Sequence, residues 1–125
     1  NIVNVATING ESQGLALGTG DANVIIAAIS ADKVVKINRI TVANVDGSAA
    51  ADVNVKVVKA AFTSAATGGA GNVGTIYLAK TISIPADASL VLLDTPIYMQ
   101  AGDALQGGAS AAGDLEIFVS YDVIA

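Results

Sequence analysis

The chain has no cysteine, no histidine and no tryptophan, and only two prolines. Without cysteine no disulfide can brace the fold, so stability must come from packing and from contacts between subunits. Without histidine or cysteine, the common zinc ligand sets and the Ser-His and Cys-His nucleophile pairs are unavailable. Charge is also scarce: Asp, Glu, Lys and Arg make up 14% of the 125 residues, against about 25% in ordinary soluble domains. Apolar runs such as Val24 to Ile29 fall far short of the ~20 residues of a membrane-spanning helix. A barrel crossing with strands would carry aromatic girdles, and here there are three tyrosines and two phenylalanines. No membrane partner is expected. Nor is a nucleic-acid partner, because the net charge is −5 and such binding calls for a basic stripe. Asn1-Ile2-Val3-Asn4 offers neither the basic nor the continuous apolar region of a signal peptide.

What the chain does have is small aliphatic residues. Hydrophobic residues reach 53%, which excludes disorder as a description of the whole. The length suits one domain over 1–125, able to bury roughly two thirds of its unfolded surface. Val53, Val55 and Val57 alternate with Asn54, Lys56 and Val58; Leu115, Ile117, Val119, Tyr121 and Val123 alternate with Asp114, Glu116, Phe118, Ser120 and Asp122. A period of two sends successive side chains to opposite faces, so both are half-buried strands. Ile2 to Ile8, Asn23 to Ser30, Val34 to Val45, Gly74 to Ile84 and Leu90 to Leu93 are further strands, and Ile97 to Met99 with Ala104 to Gln106 a weaker pair. Turn-forming residues bound each of them. Pro85 and Asp87 could open a helix, but the run after them reads as strand. About eight short strands and no significant helix predict an all-β fold, an antiparallel β-sandwich of jelly-roll type.

Two segments stand outside this pattern. Residues 1–20 read as an N-terminal arm, with a polar break at Asn9-Gly10-Glu11-Ser12-Gln13-Gly14. Residues 60–74 are Gly/Ala-rich and without periodicity, a flexible excursion from the sheet. Phe62, beside this loop, is the aromatic expected to contact a partner.

No residues are expected to serve catalysis, a cofactor or a metal. Acidic residues such as Asp21, Asp32, Asp46, Asp87 and Asp103 sit where turns are expected, and turn aspartates ordinarily bond nearby backbone N–H groups. Asn44-Val45-Asp46-Gly47-Ser48 resembles a calcium loop in outline, but glycine and glutamate are not at the required positions, and a hairpin turn is expected instead. Gly68 to Gly74 is glycine-rich but lacks the Lys-Ser or Lys-Thr pair of a phosphate loop. Lys33, Lys36, Arg39, Lys56 and Lys59 lie close together in sequence and are read as a solvated face or as partners of aspartates.

Two stretches carry a family resemblance. One runs from Asn38 through Ser48 and Asp52 into the Val53-Val55-Val57 strand. The other is Thr75 to Ile124, with Ile76-Tyr77-Leu78-Ala79-Lys80-Thr81 early and Ala101-Gly102-Asp103-Ala104-Leu105 later. Together they resemble small virion structural proteins of tailed bacteriophages. The resemblance implies a non-enzymatic virion subunit: a capsid decoration (cement) protein, or a tail- or neck-associated surface protein. It also implies a homo-oligomer, a trimer first, with other virion proteins such as major capsid or tail and neck proteins as partners. The alternative from a different class is an adhesin or lectin-like module binding host glycans through its loops.

Overall fold

The structure is a computed structural model and describes residues 7–125. It contains β1 (Ile8–Ala16), β2 (Asn23–Ile26), β3 (Val34–Asn44), β4 (Ala51–Lys59), β5 (Gly74–Ile84), β6 (Ser89–Leu93), β7 (Ile97–Met99), β8 (Ala104–Ala109) and β9 (Leu115–Ile124). There is no helix among the described residues. One sheet is ordered β1-β9-β3-β6, with β7 also pairing β3; the other is ordered β2-β8-β4-β5. All strand pairs are antiparallel.

The order has a simple origin. β6 pairs with the second half of β3 and β7 with its first half, so the two act as one interrupted strand. The first strand then pairs with the last, the second with the next to last, and so on inward to β4 and β5. This is a long hairpin, rolled up so that β9 meets β3 and β8 meets β4. The all-β sandwich expected from the sequence is thus a jelly roll.

The alternating strands face each other across the sandwich. Val53 and Val55 from one sheet are fully buried, as are Leu115, Ile117 and Val119 from the other. Leu17, Ile37, Ile40, Val42, Ile84, Met99 and Leu105 complete the centre. Each such side chain contributes about 1.5–3 kcal/mol of apolar burial, and the fully buried centre is aliphatic apart from Met99, with Tyr121 packed against it from one side. Pro85 and Asp87 do not start a helix: Asp87 adopts φ 60°, Ala88 N donates to Pro85 O at 3.1 Å, and the chain turns into β6.

Several expectations need correction. The strand expected over Ile2 to Ile8 lies almost wholly outside the described residues, whereas the polar break at Asn9 to Gly14 is the middle of β1. The arm reading therefore fails over Ile8–Ala16, where every residue pairs with β9 in unbroken register. The strand shows no alternation because nearly all of it is exposed on both faces, so the backbone ladder alone holds it. Asn44 to Ser48 is not a hairpin turn, since β3 and β4 lie in different sheets. The buried Asn44 shapes this corner, donating to Ala49 O and Ile84 O and accepting from Asp46 N. The weak pair is not a pair: β7 joins β3, while β8 joins β2 and β4. β8 also continues through Gly107 and Gly108 to Ala109. A Cβ at Gly108 would stand 1.5 Å from Gly20 O, so that glycine is what lets the Gly18–Asp21 segment cross over the strand.

The edge strand β5 contains one strained residue. Val53 faces Ile82 and Val55 faces Ala79, which leaves Lys80 and Thr81 together opposite Asn54. Thr81 takes φ 54°, and its N–H donates to Asn54 Oδ1 at 2.7 Å. A β-branched residue in the left-handed region costs about 1–2 kcal/mol, which glycine avoids at some loss of chain entropy. Thr81→Gly is expected to raise unfolding stability by about 0.5–1 kcal/mol, read from the urea midpoint at unchanged slope. A lowered midpoint would show that side-chain contacts of Thr81 outweigh its strain.

Candidate interaction surface

The segment expected to be an excursion, 60–74, has a small structure of its own. Thr63 and Ala70 form an antiparallel bridge, Ser64 N donates to Gly69 O, and Gly71 N donates to Phe62 O. Phe62 is half-buried and its ring lies on the backbone of Gly71, where a Cβ would come within 1.8 Å of it. The Lys59 ammonium sits 4.8 Å from the ring centroid on the cation-attracting π face. Phe62 thus has partners within its own chain.

The turn aspartates hold the polar framework. Asp46 accepts from both the backbone N–H and the hydroxyl of Ser48, which hold its carboxyl below the usual range. Asp21 accepts from the Tyr77 hydroxyl and pairs with Lys56 at 3.2 Å, and these two keep it low as well. Asp103 goes further than a turn cap. It is 1% exposed and accepts from Gln100 N at 2.9 Å, Ala60 N at 3.0 Å and Lys59 Nζ at 2.6 Å. Its own carbonyl accepts from Ile29 N. One residue therefore joins the end of β4 and the β7–β8 turn through its side chain, and the segment after β2 through its carbonyl. Of the clustered cations, Lys56 and Lys59 are paired with aspartates in this way. Among the described residues no group of three or more His, Cys, Asp or Glu is placed to hold a metal ion.

The most distinctive surface is the outward face of the sheet containing β1, β9 and β3. Gly14, Phe118, Thr41 and Val91 stand side by side across its four strands. Phe118 is 51% exposed and Val91 47%. Gly14, Phe118 and Thr41, with Ala16, Ala43 and Glu116, border an open depression of about 420 Å³. Farther along the same face, Tyr98 is 63% exposed beside Lys36. The sequence signal was present: Phe118 falls in the outward phase of β9, between Glu116 and the polar Ser120 and Asp122. Tyr121, in the inward phase, is only half-buried; its hydroxyl donates to Glu11 Oε1 at 3.3 Å, and burial with the Glu11 charge pushes its pKa up.

No family model matches the chain, and no curated protein matches it. Two solved structures are similar in build. One belongs to Bacillus endospore appendages, described as disulfide-linked pili: 14% identity and TM-score 0.44, over 95% of this chain and 87% of that one. The other belongs to the T13 viral particle of IBDV: 9% identity and TM-score 0.44, over 96% of this chain. This chain spans 31% of the length of that second one.

Proposed function

We propose that the chain is a non-enzymatic structural subunit of a bacteriophage particle, set on its surface as a capsid decoration or tail- or neck-associated protein and associating with copies of itself. The observation that carries the reading is the outward face just described. Phe118, Val91 and Tyr98 take no part in the core between the sheets, and exposed apolar groups gathered on one face mark an interface. The sequence resemblance to small virion proteins supports the particle assignment. Its two stretches, Asn38 to Val57 and Thr75 to Ile124, cover most of β3, all or most of β4 and β5, and the whole of β6 to β9. Mass spectrometry of purified particles encoding this chain provides the test. Hundreds of copies per particle would fit a capsid position, and tens or fewer a tail or neck position. Absence from purified particles would overturn the proposal.

A further inference from the structure

The four sheet edges differ in how they are guarded against pairing with another chain. β2 is four residues long, with a register shift between Val24 and Ile26. β5 breaks register twice and carries Lys80 next to the left-handed Thr81. The β6–β7 edge is interrupted between Leu93 and Ile97, where Pro96 removes a backbone donor. Short strands, bulges, lysine and proline are the devices by which natural sheets block edge pairing. β1 has none of them: it is nine residues long, unbroken in register, and free of lysine and proline.

The free side of β1 can be assigned residue by residue. Thr7 exchanges both backbone bonds with Ala125, and Leu17 N donates to Leu115 O. Hydrogen-bonded pairs alternate along an antiparallel ladder, so Thr7, Asn9, Glu11, Gln13, Leu15 and Leu17 face β9. Ile8, Gly10, Ser12, Gly14 and Ala16 then turn their N–H and C=O groups to the open edge, and all five residues are exposed.

We propose that this edge pairs antiparallel with β1 of a second copy about a two-fold axis at Ser12, making one continuous sheet through both subunits. A second copy is the fitting occupant because, among the described residues, the same strand is its only edge without these devices, which makes the contact isologous. In the register centred on Ser12, open backbone groups meet open backbone groups: Ser12 with Ser12, Gly10 with Gly14, Ile8 with Ala16. Charge agrees with that register. Glu11 falls opposite Gln13 of the second copy, an amide facing a carboxylate; the neighbouring register, centred on Glu11, would set two carboxylates face to face. The Phe118 ring already covers Gly14, with Cδ1 3.3 Å from where a Cβ would stand. Since Gly10 of the second copy is the residue facing Gly14, no side chain there obstructs the ring, an arrangement in which an aromatic shields edge glycines. The unit formed is a pair, not the trimer that the resemblance implies. The inference rests on the self-association in the proposed function but not on the particle.

Two variants of the full chain test it, with sedimentation or light scattering at tens of micromolar. Ser12→Pro removes an N–H that points to the open edge and leaves the β9 ladder intact. It should raise the dimer dissociation constant about ten- to hundredfold through loss of the two bonds on the axis, with unchanged far-UV circular dichroism. Ser12→Cys gives the chain a single thiol. Facing residues of a hydrogen-bonded pair lie about 5.5 Å apart at Cα, within disulfide range, so mild oxidation should yield a cross-linked dimer, whereas Thr75→Cys on β5 should not. A wild-type chain that stays monomeric would overturn both this inference and self-association. An oligomer that survives Ser12→Pro and does not cross-link through Ser12→Cys would overturn this inference alone.

Discussion

Replacing Asp103 by alanine is expected to destabilise the fold by about 3–5 kcal/mol, the range for removing one partner of a buried ion pair. The variant leaves the backbone N–H groups of Ala60 and Gln100 without their acceptor and takes the counter-charge from the Lys59 ammonium, which keeps only Gln100 Oε1 at 3.3 Å and the Phe62 ring. The native pair need not be strongly stabilising by itself, because desolvating both charges offsets much of their attraction. The loss comes from the donors left facing a position where the carboxylate itself is 1% exposed. Asp103→Asn should cost less, since an amide oxygen can still accept from one backbone N–H. Lys59→Met in the Asp103→Ala background should recover part of the loss by removing the orphaned charge, a coupling that a double-mutant cycle would show. Urea unfolding at one fixed protein concentration is the measurement, so that self-association does not enter the comparison. A loss below about 1 kcal/mol for Asp103→Ala would mean that water reaches the site and replaces the carboxylate.

Ile117→Ala should cost about 2–5 kcal/mol, as large-to-small changes in packed cores do. Ile117 sits midway along β9 between the fully buried Leu115 and Val119, and the side chains around it belong to both sheets. The space it leaves cannot close unless the sheets move together, so the upper half of the range is expected. The adjacent Glu116→Ala changes an exposed side chain on the outer face and should stay within about 0.5 kcal/mol. Comparable losses from the two would contradict the register of β9.

The strands that bury one face were legible from residues alone. β4 and the first half of β9 alternate because one side of each faces the core, and the boundaries of β5, β6 and β7 follow their punctuation closely. β1 was not legible, because a strand exposed on both faces has no reason to alternate. The end of β8 was hidden for a different reason. Gly107 and Gly108 read as a break, yet they are glycine because neighbouring backbone comes so close: Asn54 O would be 2.6 Å from a Cβ at Gly107. Which strands share a sheet is also absent from local pattern, so Asn44 to Ser48 read as a hairpin when it is a corner. At the surface, Phe62 drew attention as an aromatic beside a glycine-rich loop, but those same glycines give its ring a place to rest. Phe118 is the better-placed aromatic, and its position in the outward phase was the clue. Asp103 looked like one turn aspartate among several; its long-range partners Lys59 and Ala60 exist only once β4 and β8 are side by side.

The rolled-hairpin order has a consequence for how the protein is made. β9 is the second strand of its sheet, standing between β1 and β3, and in chain order it follows the other eight. Until Leu115 to Ile124 emerge, β1 has no neighbour in its sheet and β3 has only β6 and β7 on its other side. The nascent chain must therefore carry an incomplete sheet, with its apolar inner face uncovered, until β9 has emerged. Closure joins residues more than a hundred positions apart, Ile8 with Ile124 among them. Folding dominated by such distant pairings belongs to the slow end of the range for small domains, milliseconds to seconds. Scarcity of bulky aromatics and a polar β1 make that interval safer, since a strand exposed on both faces offers little apolar surface to misassociate while it waits for β9.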